Sequence, residues 1–394
     1  MKNIVYFIFD TPPLESYYTR FGMDYLGKNE WDVHVIDLSP IIYPIAYRIV
    51  TTGLIKDVKR EIFYSKREYK KYAKGMQENA FIIFTTDFIY DIYFVYKYMK
   101  KGQYYGYLTR MDTNVEPDKI GTKERIKGLF NKDFLRHIRN SIFIRIPRKL
   151  LPIQAADFLF LGGLANKDDY ISLGYTDHHT RICHIHSMDY EVYLKTKEKN
   201  EKIISGDYYV FLDEYLPYHP DNETVGYYIN PEKYYEEVNC FLEKIKNKYG
   251  CRVIVALHPR ANMEISKQKY SSDFELRRFE TAELIKDCKF VVAHFSTAIS
   301  YAALFYKPLI LFLTDDLMKY AEWRDMSDKY SKMFGTAIYN ASDSDNIDLP
   351  DSLDINRNRY DEFIRQYVKA DYPSKDEHLG KRLHEEFIDL IGEK

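Results

Sequence analysis

The stretch YYVFLDE (208–214) decides the fold. Its apolar run is too short for a helix and shows no alternation, so it reads as a strand buried on both faces. Such strands belong to parallel sheets covered by helices on either side. The acid pair Asp213 and Glu214 ends the run. Downstream the same unit recurs. A helix is expected over NPEKYYEEVNCFLEKIKNKY (230–249), stopped by Gly250, then a strand in CRVIVALHP (251–259). The helix FETAELIKDC (279–288), the strand KFVVAHF (289–295), the helix STAISYAALFY (296–306) and the strand PLILFL (308–313) follow.

Upstream, MKNIVYFIFD (1–10), WDVHVIDLSP (31–40), FIIFTTDF (81–88), QYYGYLTRMD (103–112) and ADFLFLGG (156–163) read as five more strands, with a helix from Tyr17 to Gly27. The alternation lapses in the lysine-rich KTKEKNEKIISGD (195–207), which sets expected domains of 1–197 and 198–394. Leu379, Leu383, Phe387 and Leu390 recur at helical spacing in the last segment, an amphipathic helix expected to pack back on the first domain. The expected fold is α/β, with two facing Rossmann-like domains and a C-terminal helix. Ligands of such sheets bind beyond the carboxyl ends of the strands.

Composition fits this reading. The chain has 394 residues, 45% hydrophobic and 29% charged, the balance of a globular protein long enough for two cores. A net charge of −2 provides no global field for nucleic acid, which is not expected as a partner. The four cysteines form no CxxC pair and are expected as reduced thiols. No signal peptide and no apolar run of ~18 residues is visible, so a cytoplasmic location is expected. His178, His179, His184 and His186 crowd around Cys183 but match no compact metal spacing, and no metal is expected. TDD (314–316) follows a late strand and reads as a helix N-cap.

Chemistry gathers at three strand ends of the second half. Asp213 and Glu214 offer a carboxylate able to take a proton, or form an acidic surface turn. His258 is fixed by Pro259 and followed by Arg260; imidazole and guanidinium both suit phosphate, while a structural histidine beside a solvated arginine is the plain alternative. After His294 come Ser296 and Thr297 at an expected helix start, an anion site or an ordinary cap. In one parallel sheet all three ends share an edge.

In that order, acid pair, His-Pro and hydroxyl pair, the chain resembles the bacterial sialyltransferases and polysialyltransferases of the GT-B fold, and the related Kdo transferases. The resemblance covers mainly residues 155–320. HIHSMDYEVYLK (184–195) with FLDEYLPYHP (211–220) also resembles bacterial surface-carbohydrate biosynthesis proteins. It implies an inverting glycosyltransferase that moves a nonulosonic acid, or Kdo, from a CMP-sugar donor substrate to a glycan or lipid-linked glycan acceptor, without cofactor or metal. In those families the acid is the base, so Asp213 or Glu214 is implied here, and Asp213 is the one expected to deprotonate the acceptor hydroxyl. His258, with Pro259 and Arg260, and the motif Ser296, Thr297 and Ala298 are implied to hold the phosphate. The acid pair is followed by glycine in those families and by Tyr215 here. A GT-B enzyme using a UDP- or GDP-sugar and a non-catalytic glycan-binding protein are the alternatives.

The segment 123–152 carries nine Lys or Arg against Glu124 and Asp133, interleaved with apolar residues. It reads either as a solvated helix covering the sheet or as a surface for an anionic membrane through 123–149, placing the protein peripherally at the inner face.

Overall fold

The computed structural model describes residues 3–392 except 51, 87, 110, 114, 116–133, 144, 147–149, 152, 166, 169–175, 220–221 and 223–226. The chain divides into two compact units. The first comprises Met1–Asp112, Leu135–Glu191 and Arg365–Lys394; the second comprises Thr113–Phe134 and Val192–Ile364. The division therefore falls at 191/192, inside the helix Met188–Glu198, and not at the expected 197/198. Glu191 accepts the Leu379 N–H in the first unit, while Tyr193 packs on Phe305 in the second.

Among the described residues the first unit holds seven parallel strands: β1 (Asn3–Phe9), β2 (Trp31–Asp37), β3 (Lys59–Ile62), β4 (Phe81–Phe84), β5 (Tyr104–Thr109), β6 (Phe158–Leu161) and β7 (Arg181–His184). Their order is β3-β2-β1-β4-β5-β6-β7. Alternation along the strands sorts side chains to two faces. Tyr6, Ile8, Ile82, Phe84, Tyr105 and Tyr107 point to one core; Val5, Phe7, Phe81, Ile83, Phe158 and Phe160 point to the other. The C-terminal helix Leu379–Gly392 fills the second core with Leu379, Leu383 and Phe387. The Phe387 ring lies 4.4 Å from Phe81 and 5.3 Å from Trp31. Burying a side chain of this size stabilises by about 1.5–3 kcal/mol.

The helix expected over Tyr17–Gly27 is two helices, Glu15–Arg20 and Met23–Lys28, parted at Gly22 with φ +70°. A Cβ on Gly22 would lie 2.3 Å from the Gly380 Cα, so the break is where the C-terminal helix passes backbone to backbone.

Among the described residues the second unit holds six parallel strands: β8 (Tyr208–Leu212), β9 (Arg252–Leu257), β10 (Glu275–Arg278), β11 (Val291–Ala293), β12 (Leu309–Leu313) and β13 (Ile338–Asn340). Their order is β10-β9-β8-β11-β12-β13. Counted within the unit, this is the 3-2-1-4-5-6 order of the Rossmann fold, and the first six strands of the other unit repeat it. The helix Pro231–Tyr249 has its N-cap at Asn230 and stops at Gly250 with φ +65°. Thr314 caps the helix Asp315–Met318, as TDD implied.

Candidate functional site

In the second unit the strand order reverses between β8 and β11, where a crevice opens beyond the carboxyl ends. A cavity of about 290 Å³ occupies that place, lined among others by Glu214, His258, Ser296 and Thr297. Three strand-end motifs, distant in sequence, meet there because β8, β9 and β11 are neighbours in one parallel sheet.

The two acids part company. Asp213 is buried and does not line the cavity. Its Oδ1 accepts the Tyr215 N–H at 3.0 Å and the Tyr270 hydroxyl at 2.9 Å. Burial raises its pKa to about 6 against these bonds and one from the His258 backbone. Glu214 faces the cavity, and its Oε2 is buried with no hydrogen-bond partner among the described residues. Burial first, and the Asp213 charge second, raise Glu214 to about 8, opposed by a bond from the Phe295 backbone. Two adjacent carboxyls in one dry corner cannot both ionise at low cost.

Tyr215, where the resembled families have glycine, sits in the left-handed region at φ +53°. A side chain costs about 1–2 kcal/mol there. The buried Tyr215 ring, 5.3 Å from that of Tyr218, and its N–H bond to Asp213 offset this cost.

His258 is half-buried on the cavity wall. Its Nδ1 accepts the Arg260 backbone N–H at 3.2 Å, which leaves the neutral ring's proton on Nε2. Pro259 and Arg260 are exposed and lie off the cavity wall. The proline turns the chain away from the sheet, so the expected role of Arg260 at the phosphate finds no support in its position. The hydroxyl motif also differs from expectation. The helix begins at Ile299 and runs only to Leu304; Ala298 is its N-cap, without a side-chain bond. Ser296 stands in the preceding turn, where its Oγ accepts the Ala298 N–H at 3.3 Å. Contacts to an anion must then come from hydroxyls and turn amides, since six residues supply little macrodipole. His294 is structural. Fully buried, it bonds the Phe312 carbonyl through Nδ1 at 2.8 Å and the Tyr234 hydroxyl through Nε2 at 2.9 Å, and burial lowers its pKa to about 4.

An aromatic wall was not foreseen in the sequence. Phe295, Trp323, Tyr227 and Met326 line the same cavity. The Trp323 ring lies 5.8 Å from Phe295 at 22°, and 4.6 Å from Tyr227. Tyr227 donates to the buried Glu322 carboxylate. His219 also lines the cavity, its ring 5.2 Å from that of His258. The one available signal was Trp323 itself, one of only two tryptophans.

Among the described residues no group of three His, Cys, Asp or Glu side chains is placed to hold a metal ion. His186 is buried against the Ser187 and Glu377 carbonyls, while His178 and His179 are exposed. Cys183, Cys251 and Cys288 are buried free thiols; Cys240 is an exposed one.

The family model of the LIC12162 family transferases matches residues 159–333, a span that includes every residue of the cavity. No curated protein sequence matches the chain. Among solved structures, a variant of the wall teichoic acid polymerase TagF is similar at TM-score 0.57 and 13% identity, covering 99% of this chain and 90% of that one. The UDP-GlcNAc 2-epimerase of Methanocaldococcus jannaschii is similar at TM-score 0.51 and 11% identity, covering all of both chains. The S. aureus MnaA–UDP structure follows at TM-score 0.50 and 11% identity, covering 100% of this chain and 97% of that one. With its two Rossmann-like units, the chain has the GT-B fold, and its central portion is similar to a family of transferases.

Proposed function

We propose that this chain is an inverting glycosyltransferase that moves a nonulosonic acid, of sialic, pseudaminic or legionaminic type, from its CMP-activated form to a surface glycan. The observation that carries the reading is the meeting of Glu214, His258, Ser296 and Thr297 in one cavity at the switch point of the second unit. Glu214 is the acid that takes the acceptor hydroxyl's proton as the new C–O bond forms. The bond from the sugar to the CMP phosphate breaks, and its electron pair leaves with the phosphate. The His258 Nε2–H and the hydroxyls of Ser296 and Thr297 donate to the oxygens on which that charge grows, which favours the transition state over the ground state. The aromatic wall of Phe295, Tyr227 and Trp323 offers a face for the base, where stacking is worth about 1–3 kcal/mol. Asp213 holds the turn and raises the proton affinity of Glu214.

A GT-B enzyme using a UDP-sugar is the second reading, motivated by the UDP named with the MnaA structure and the UDP-GlcNAc of the epimerase. Melting curves with CMP, UDP and GDP separate the two. A nucleotide present at a hundredfold its Kd stabilises by about 2.7 kcal/mol. CMP alone should raise the melting temperature; a rise with UDP and none with CMP would overturn the donor assignment.

A further inference from the structure

One face of the first unit's sheet carries an unusual surface. The core on that side is closed by Tyr69 and Phe143, with Tyr43 packed against it, so the helices Lys66–Ala73 and Phe134–Phe143 and the helix Pro44–Ile49 that follows Tyr43 lie over the same face. They adjoin one another through named contacts. The Arg136 guanidinium lies 3.9 Å from the ring centroid of Tyr43, the residue preceding Pro44. Arg139 and Lys66 share the Tyr90 ring, at 4.5 and 6.0 Å from its centroid, and the hydroxyls of Tyr47 and Tyr64 bond at 2.8 Å. On the outside, Ile45 is 71% exposed, Ile49 73% and Ile142 59%, with Tyr64 and Ile138 exposed beside them. Each isoleucine pair has i,i+4 spacing, so each presents one ridge to solvent. Apolar ridges of this kind on a soluble face mark an interaction surface.

Charge identifies the partner. Arg48, Lys66, Arg67, Lys70, Lys71 and Lys74 are exposed on these helices, against Glu68. A net charge of −2 over the whole chain makes this basic concentration local. Apolar residues that protrude among exposed cations match a lipid surface, where side chains enter the acyl boundary and cations meet anionic headgroups. Arg136 and Arg139 are paired with the Asp91 carboxylate, so the charge open to a partner is that of Arg48 and the Lys66–Lys74 stretch, with Lys66 held over aromatic rings.

We propose that this face of the first unit docks on an anionic membrane surface, with Ile45, Ile49, Ile138 and Ile142 entering the interface. The cavity of the second unit supplies no residue to this face, so the proposal stands apart from the choice of donor. The test is sedimentation of the full chain with phosphatidylcholine vesicles, with and without phosphatidylglycerol. Wild type should sediment with the anionic vesicles and stay in solution with the neutral ones. The double variant Ile45→Ser/Ile49→Ser should lose binding roughly tenfold. Arg48→Ser and Arg67→Ser should each lower the partition coefficient about fivefold at low salt. Circular dichroism and melting curves of all three should match wild type, since these side chains are exposed. Wild type that never sediments with anionic vesicles overturns the proposal. So does binding that the variants leave unchanged. A wild-type dimer in solution that Ile45→Ser/Ile49→Ser dissolves, without vesicle binding, assigns the face to a second copy of the chain instead.

Discussion

Glu214→Gln changes both stability and rate, in directions the geometry fixes. Burial and the neighbouring Asp213 raise this carboxyl from 4.5 to about 8. A raised carboxyl means that the folded state holds the proton more tightly than the unfolded chain. Its stabilising influence is therefore complete below about 4.5 and is lost as pH rises through 8. Glutamine cannot titrate and keeps the shape, so Glu214→Gln should melt like wild type at pH 5 and above it at pH 9. For the rate, the base works ionised, so kcat/KM with a CMP-sugar should climb through about pH 8 and level off. In Glu214→Gln turnover should fall by ~10²–10⁴ and the climbing limb should disappear. In Asp213→Asn that limb should move to lower pH, because the second cause of the raised Glu214 value is gone. Melting curves and pH–rate profiles on the three proteins read all of this. Wild-type stability that rises between pH 5 and 9, or a Glu214→Gln enzyme with normal turnover, would refute the reasoning.

Other outcomes follow from the same structure. His258→Ala and Ser296→Ala should each weaken CMP binding in titration calorimetry, non-additively in the double variant, with little change in apo melting; wild-type affinity in both would separate the motifs. Tyr215→Ala keeps the left-handed backbone of residue 215, whereas Tyr215→Gly relieves it, so the glycine variant should be more stable by about 1 kcal/mol in urea unfolding. Phe387→Ala should cost about 3–5 kcal/mol, because its ring is fully buried among Phe81, Trp31 and Phe158; a loss under 1 kcal/mol would mean that the C-terminal helix adds little to the first core.

What the sequence left unread has physical causes. Every strand that runs through a sheet interior was visible as an apolar run. The four missed strands, β3, β7, β10 and β13, are the four sheet edges. Their sequences KREI, RICH, ELRR and IYN are charged or short, as edges must be to avoid pairing with other chains. The sheet edge shared by Glu214, His258 and Ser296 was legible because parallel strands place all carboxyl ends together. Which acid faces the cavity was not, since consecutive residues at a strand end point to opposite sides and only the fold decides which side opens. Trp323 and Tyr227 reach the cavity from a helix and a loop with no strand-end signal.

The central claim is that the cavity between β8 and β11 binds the nucleotide of a CMP-sugar. A crystal structure with CMP tests it most directly. The phosphate should lie within hydrogen-bond distance of the His258 Nε2 and the Ser296 Oγ, with the cytosine against Phe295, Tyr227 or Trp323 and the Glu214 carboxyl free to face an acceptor. CMP bound away from His258 and Ser296, or a crystal that takes up UDP and refuses CMP, would contradict it.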